Sequence, residues 1–282
     1  LERSNGRVSR VDLVDGEVVA LGGVVRDLDI VSGDAGSGSE YGVQGIVAHP
    51  DVATNGFVYV RYDRSPRAGA DTPQSDVVLG PHPSASVPTI NAIERYAWDG
   101  AALTFDRTIH EITFDTRYHH GGDLVFDATG ALLTVVGDLR RTGSGGWQQD
   151  HGGPLMSANV ASGVPEDMSV VLRLDPDGGP ATDNPFDPGD PLVPETASDW
   201  FAYGIRNSIG IAVDPLGGAV WLTDNGEVDF DEINRVTPGF NGGWKDIVGP
   251  LDHPDQTGSL DQLVTLPGST YGDPAFAWRH TI

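Results

Sequence analysis

A β-hairpin pattern occupies residues 123–135, which read Asp-Leu-Val-Phe-Asp-Ala-Thr-Gly-Ala-Leu-Leu-Thr-Val. Its two apolar runs are short, and the residues between them favour a tight turn between strands. The pattern recurs over residues 45–60 and 210–223. The chain therefore repeats one β-hairpin at long intervals, and signals for long helices are nearly absent.

A second repeated pattern is a strand that contains arginine and ends in a turn. It occurs at Gly6–Asp12, Ala92–Gly100, Val170–Gly178 and Glu232–Gly239. The two patterns alternate, which is typical of a β-propeller in which each pair builds one blade. A β-sandwich is the all-β alternative, but sandwiches do not repeat a pattern in this way.

The repeats predict an all-β chain that forms a single β-propeller domain over residues 1–282. They amount to about four blades, since each blade needs both patterns. The chain opens within one pattern and stops without a closing element, so we expect it to be incomplete at both ends. Two Gly- and Pro-rich segments, Arg64–Pro88 and Gly143–Asp167, should form loops on one face.

The composition excludes several classes of protein. Among 282 residues, 17 are Lys or Arg and 41 are Asp or Glu, which gives a net charge of −24. Such a chain is a poor nucleic-acid binder, and it has no apolar stretch long enough to span a membrane. It has no cysteine, so it forms no disulfide and no thiolate metal site. The acidity is typical of a surface that charge keeps soluble, and the alternatives are a salt-rich habitat or several Ca²⁺ sites.

Two polar segments are candidates for catalysis or binding. In Tyr118–Leu124, two histidines precede a Gly-Gly pair and a strand. A histidine there can act as a general base, or it can simply bond to loop carbonyls. In Tyr203–Gly210, Arg206 and Asn207 lie between apolar residues. Arginine offers a planar fork to carboxylates, and a salt bridge between blades is the structural alternative.

A third segment, Thr223–Arg235, is rich in oxygen donors and is followed by Gly239–Trp244. Oxygen donors suit a hard cation such as Ca²⁺. The spacing is not that of an EF-hand loop. The structural alternative is an acidic turn followed by a tryptophan that fills the core.

In their order along the chain, these motifs resemble the soluble quinoprotein glucose/aldose dehydrogenase family, from about Arg7 to Ile282. The matching motifs are Glu40–Asp51, Asn55–Val60, His119–Gly122, Gly137–Asp138, Asp183–Phe186, Gly204–Gly210, Asp231–Arg235 and Asn241–Trp244. The resemblance implies a six-bladed propeller that binds pyrroloquinoline quinone (PQQ) and Ca²⁺ near its axis. It also implies oxidation of the C1 hydroxyl of an aldose to the lactone.

The resemblance assigns catalytic and cofactor-binding roles to four residues. His119 is implied to be the base that removes the C1 hydroxyl proton, and it also contacts the quinone. Arg206 and Asn207 match the pair that contacts the PQQ oxygens, and Arg206 polarises the carbonyl that accepts the hydride. Asn225 is the fourth implied cofactor contact.

The resemblance also implies the substrate and metal sites. Glu40, Tyr118 and Asp138 match positions near the sugar and the base. The main-chain carbonyl oxygens of Gly226 and Glu227 match the ligands of the Ca²⁺ ion that PQQ also coordinates. Family members often have Pro where Glu227 stands, and the glucose enzymes often have Asp where Tyr118 stands.

The sequence therefore predicts a secreted or periplasmic PQQ-dependent aldose dehydrogenase, working as a monomer or homodimer with an external electron acceptor. Family members continue past Ile282 and supply further Lys and Arg contacts to PQQ there, so these residues should hold about half of the quinone site. Two alternatives remain open. One is a calcium-containing binding propeller without quinone chemistry, as in the Hedgehog-interacting type. The other is a Ca²⁺-dependent lactone or ester hydrolase.

Overall fold

The computed structural model describes residues 6–14, 17–32, 40–65, 80–81, 89–114, 118–139, 167–227 and 230–279. The two predicted loops, Arg64–Pro88 and Gly143–Asp167, lie almost entirely outside these ranges. The chain divides into two compact units, Leu1–Arg117 and Tyr118–Ile282, each with its own sheets. Within the described ranges, no helix has both the length and the apolar character needed to cross a lipid bilayer.

The first unit consists of strands and one helical turn. The strands are β1 (Arg7–Val14), β2 (Glu17–Asp27), β3 (Val31–Ser32), β4 (Val43–Ala48), β5 (Phe57–Arg64), β6 (Gly80–Pro81), β7 (Thr89–Trp98) and β8 (Leu103–Phe114), and the turn is α1 (Val52–Asn55).

The main sheet of the first unit is an antiparallel meander in the order β4-β5-β7-β8. Strands β4 and β5 form the hairpin predicted over residues 45–60, with Ile46 opposite Val60. Strands β1 and β2 form a separate hairpin, and β3 pairs in parallel with β6. The core of this unit includes Val60 and Tyr62 of β5 together with Tyr96 of β7, because alternate residues of each strand face the same side.

The second unit carries the remaining strands and two short 3₁₀ turns, Glu195–Asp199 and Leu260–Gln262. The strands are β9 (Gly122–Phe126), β10 (Leu132–Val136), β11 (Val170–Leu174), β12 (Trp200–Tyr203), β13 (Ile211–Val213), β14 (Val220–Asp224), β15 (Phe230–Val236), β16 (Phe240–Asn241), β17 (Thr270–Tyr271) and β18 (Phe276–Arg279).

Two sheets build the second unit. The first is the antiparallel meander β9-β10-β11-β12, which β16 and β17 extend by parallel pairing. The second is the meander β13-β14-β15-β18. The hairpins predicted over 123–135 and 210–223 are β9–β10 and β13–β14. Leu133 and Val135 of the first sheet share one apolar core with Ile211 and Leu222 of the second.

Three consecutive four-stranded antiparallel meanders are the blade pattern of a propeller. The predicted fold class, an all-β chain of the β-propeller type, is therefore confirmed. The described residues supply three such blades and the β1–β2 hairpin. That residues 1–282 form one domain stays a prediction.

Arg173, the arginine in one of the strands of the second repeated pattern, holds the turn between β9 and β10. Arg173, on β11, donates from Nε to Asp127 Oδ2 at 2.7 Å. Its Nη2 donates to Thr129 Oγ1 at 2.9 Å, and Nη1 donates to the carbonyl of Thr182 at 2.7 Å. The β9–β10 turn and the chain after β11 are thus held by one nearly buried guanidinium.

We predict that Arg173→Met lowers the free energy of unfolding by about 3 kcal/mol or more, because it leaves the mostly buried Asp127 carboxylate without its cation. Urea unfolding of the full-length protein measures this. Arg10→Ala, which breaks an exposed pair with Asp12, should change the free energy by less than about 1 kcal/mol. Equal losses in the two variants would contradict the prediction.

The same clamp has a predicted pH dependence. Burial acts to raise the pKa of Asp127, but hydrogen bonds from Thr129, Arg173 and backbone amides outweigh it and hold the pKa below its usual range. A carboxylate with a lowered pKa stabilises the fold above its unfolded pKa and loses that contribution as pH falls. The difference in the free energy of unfolding between wild type and Arg173→Met should therefore become smaller below about pH 4.

Candidate functional site

One edge of the first sheet of the second unit collects most of the predicted site residues. Strands β9 and β11 begin at this edge, and β10 and β12 end there, because neighbouring antiparallel strands alternate in direction. The segments beyond the strand ends carry His119, Asp138 and Arg206. The amide of Asp138 donates to the carbonyl of Arg206 at 2.7 Å, and the amide of Leu139 donates to the carbonyl of His119 at 3.3 Å.

Gly137 allows these segments to approach so closely. A Cβ atom built on it would lie 2.4 Å from the carbonyl oxygen of His119. It would also lie 3.0 Å from the carbonyl oxygen of Arg206 and from Asn207 Oδ1. Only glycine fits a position surrounded by backbone in this way.

His119 and Asp138 form a buried hydrogen-bonded pair. The imidazole Nδ1 lies 2.5 Å from Asp138 Oδ1, and both side chains are nearly excluded from solvent. The backbone of His119 is in the left-handed region, with a φ of 57°. A carboxylate at Nδ1 favours the tautomer that carries its proton there, so the lone pair of Nε2 is able to accept a proton. This geometry is what a general base requires.

Arg206 and Asn207 are fixed mainly through backbone groups. The Arg206 Nη1 donates to the carbonyl of Asn225 at 2.8 Å. Asn207 Oδ1 accepts from the amide of Gly121 at 3.2 Å, which ties it to the histidine segment. Within the described part of the chain, the guanidinium of Arg206 therefore bonds to a carbonyl and not to a carboxylate. The predicted alternative, a salt bridge between blades, is not the arrangement found there.

Two buried carboxyl groups lie beneath this segment. Asp224, the last residue of β14, accepts the amides of Arg206 at 2.9 Å and Asn207 at 2.7 Å. Glu232 stands opposite Asp224 on β15. Burial, helped by the charge of Glu232, raises the pKa of Asp224 to about 8, and burial also raises the pKa of Glu232.

The predicted metal loop follows β14 directly. The amide of Gly226 donates to Asp231 Oδ1 at 3.0 Å, and a Cβ on Gly226 would lie only 1.6 Å from the carbonyl oxygen of Phe230. Glu227 and Asn225 are exposed. Across the described residues, no three or more His, Asp or Glu side chains converge on a common metal position. A Ca²⁺ ion in this loop would depend on carbonyl oxygens, as the resemblance implies.

The structure brings five of the predicted residues together in the second unit: His119, Asp138, Arg206, Asn207 and Asn225.

The two other residues predicted on the substrate side are Tyr118 and Glu40. Tyr118 is half-buried beside His119 in the chain. Glu40 belongs to the first unit, where it is half-buried and its carbonyl accepts Gln44 Nε2 at 3.2 Å. Their roles toward a sugar stay predictions.

Trp244 received no functional role from the sequence. Its Nε1 donates to Asp138 Oδ2 at 3.1 Å, and the guanidinium carbon of Arg206 lies 5.4 Å from its ring centroid. The parallel pairing of β12 with β16 places it there, and its own amide donates to the carbonyl of Gly204 at 3.1 Å. The glycine-bounded motif ending in Trp244 was the available signal, but it points equally to a core residue.

A family model described as Glucose / Sorbosone dehydrogenase matches residues 2–282. The chain is 27% identical over 240 residues to an uncharacterized protein of Synechocystis, covering 84% of this chain and 51% of that protein. It is 25% identical over 264 residues to quinoprotein glucose dehydrogenase B of Acinetobacter calcoaceticus, covering 89% and 48%. The chain thus spans about half the length of these curated relatives.

Among solved structures, the chain is similar to the PQQ-bound form of an aldose sugar dehydrogenase from Streptomyces coelicolor, with a TM-score of 0.63 and 22% identity. That match covers 98% of this chain and 63% of the other. At this level of identity, the similarity concerns the fold.

We predict that Gly137→Ala destabilises the protein by about 1–3 kcal/mol, because the new methyl group has to displace the backbone of the site segments. Thermal unfolding of the full-length protein checks this. Gly210→Ala is the matched control: its Cβ would meet only Thr223 Oγ1, at 3.4 Å, an ordinary contact. Equal melting temperatures for Gly137→Ala and Gly210→Ala would contradict the close approach of the backbone segments around Gly137.

Proposed function

This chain belongs to the glucose/sorbosone dehydrogenase family, and from this membership we propose that the whole protein is a PQQ-dependent aldose dehydrogenase. It would oxidise the C1 hydroxyl of an aldose to the lactone. The observation that carries the proposal is the buried His119–Asp138 pair, 2.5 Å apart, on the same edge as Arg206 and Asn207. A base and a cation at one place are what the removal of a proton and a hydride requires.

The chemistry of the donor set supports PQQ as the cofactor. PQQ has three carboxylates and a pair of quinone carbonyls, so its site needs a cation and amide donors. Arg206 lines a pocket with Trp244 and with the buried acids Asp224 and Glu232, and its guanidinium donates to the carbonyl of Asn225. Arg206, Asn207 and Asn225 would hold the quinone on this side. When bound, PQQ supplies a two-electron acceptor for the hydride.

Ca²⁺ would be held by the main-chain carbonyls of Gly226 and Glu227. Carbonyl oxygen is a ligand that Ca²⁺ accepts readily. The amide of Gly226 donates to Asp231 Oδ1 at 3.0 Å, which orients the peptide group that precedes Gly226. A carbonyl ligand also tolerates glutamate where other members have proline.

Three residues of this chain have separate roles in the oxidation at C1 of the sugar. The Nε2 of His119 takes the hydroxyl proton as the C1 hydrogen leaves with its electron pair. Asp138 keeps the proton of the imidazole on Nδ1 and stabilises the imidazolium that forms. Arg206 places positive charge where negative charge develops on the acceptor side. Glu40 and Tyr118 would contact the sugar.

Three parts of the proposal depend on the resemblance alone. The protein would act in the periplasm or outside the cell. It would pass its electrons to an external acceptor. It would work as a monomer or homodimer.

We predict that the full-length protein, prepared without quinone and supplied with Ca²⁺, binds PQQ saturably and then reduces a dye when an aldose is added. A chelator should weaken PQQ binding, and added Ca²⁺ should restore it. Absorbance titration and a dye assay over a panel of aldoses measure both effects. Ca²⁺ binding with no PQQ uptake would refute the proposal, and turnover of a lactone or ester would then indicate a hydrolase rather than a binding propeller.

We predict that His119→Asn lowers kcat by about 10²–10⁴-fold, the usual contribution of a general base, while PQQ still binds. Asparagine preserves a polar side chain at this position but cannot take a proton. Single-turnover dye reduction at saturating aldose measures the effect. The control is His253→Asn, which should keep its activity. His253 is partly exposed and lies in the turns of residues 250–256. Full activity of His119→Asn would exclude His119 as the base.

A further inference from the structure

Trp244 contacts both halves of the proposed machinery through one side chain. Its indole N–H donates to Asp138 Oδ2 at 3.1 Å, while Asp138 Oδ1 faces His119 at 2.5 Å. The face of the same ring lies 5.4 Å from the guanidinium carbon of Arg206, within the range of a cation–π contact. Trp244 is itself buried.

We propose that Trp244 is a positioning residue that fixes the Asp138–His119 pair and Arg206 in one arrangement. This inference deepens the proposed function and rests on it. Trp244 would touch neither the sugar nor the transferred proton. It would act through Asp138 on the base, and through its ring on the cation.

The carboxylate of Asp138 has a different partner at each of its two oxygens. A carboxylate held at one oxygen can rotate about its Cβ–Cγ bond and present either oxygen to its partner. In Asp138, one oxygen faces the imidazole and the other accepts the indole N–H. The plane of the carboxylate is therefore fixed, and with it the position of the oxygen that faces Nδ1 of His119. Misplacement of a reacting group by about 1 Å can reduce a rate about 10²-fold.

The guanidinium of Arg206 contacts a carbonyl oxygen and the face of the indole. The Arg206 guanidinium has one hydrogen bond to the carbonyl of Asn225, which fixes one end of its fork. Contact with the indole face restricts the remaining rotation without neutralising the charge. The indole thus orients Arg206 while leaving its positive charge for an anionic ligand.

Hydrogen bonds hold the backbone of the segment that carries Trp244. The amide of Gly243 donates to Asn241 Oδ1 at 3.0 Å, and the amide of Trp244 donates to the carbonyl of Gly204. Asn241 lies in β16, opposite Tyr203 of β12. The segment that carries Trp244 is therefore bonded to the segment that leads into Arg206.

The test replaces Trp244 by 3-benzothienylalanine, in which sulfur takes the place of the indole N–H. This change keeps the size and aromatic face of the ring and removes only the donor. Trp244→Phe is the second variant, and it also reduces the ring facing Arg206. Trp200 is the matched control, because its indole donates to Asp167 at 2.8 Å, outside the proposed site.

The first readout needs no cofactor. In the full-length, quinone-free protein, ¹⁵N shifts of the His119 imidazole report which nitrogen carries the proton. We expect wild type and the Trp200 variant to show one tautomer, protonated at Nδ1, and the Trp244 variants to show a mixture of tautomers. Unchanged ¹⁵N shifts in the Trp244 variants, or the same change in the Trp200 variant, would overturn the inference.

The second readout uses the enzyme loaded with PQQ and Ca²⁺. We expect kcat to fall about tenfold or more with benzothienylalanine at position 244, and further with Trp244→Phe, while KM for the aldose is unchanged. A rise in KM without a fall in kcat would overturn the positioning role. If wild type takes up no PQQ, the proposed function fails, and the ¹⁵N shifts still decide the inference about Trp244.

Discussion

The carboxylate of Asp138 is the contact on which the rest of the site depends. One of its oxygens faces the imidazole of His119, the other accepts the indole of Trp244, and its backbone amide bonds to Arg206. Three stretches of chain far apart in sequence thus meet at one residue. This meeting is possible because Gly137, the preceding residue, presents no side chain to the backbone around it.

A second buried acid supports the site from below in a similar way. Asp224 accepts the two consecutive amides of Arg206 and Asn207, so it determines how that segment leaves β12. In a chain with a net charge of −24, acids near a site for an anionic cofactor would ordinarily repel it. Here the buried acids Asp224 and Glu232 are engaged by N–H donors, and burial raises the pKa of both. Arg206 is the cation that lines the same pocket as these two acids.

The local parts of this architecture were predictable from the sequence, and the distant contacts were not. The hairpins β4–β5, β9–β10 and β13–β14 follow from apolar alternation around short turns, which are properties of neighbouring residues. The pairing of β12 with β16 has no such signal, because each partner contributes only two residues. Contacts between distant residues leave no local pattern. The sequence alone therefore could not decide whether His119 and Arg206 have a functional or a structural role. Only the resemblance placed Asp138 near His119, and nothing in the pattern linked it to Trp244.

The separation of Asp138 and Trp244, 106 positions along the chain, has a consequence for how the protein matures. Contacts between distant parts of a chain form late, since the intervening loop has to close first. Strands β9 to β12 pair with their neighbours along the chain, and His119 and Asp138 lie on the two sides of the β9–β10 hairpin. The indole arrives only when β16 docks on β12. A chain still emerging from the ribosome would therefore carry the paired acid and imidazole without their final alignment, which would arise only when assembly is complete.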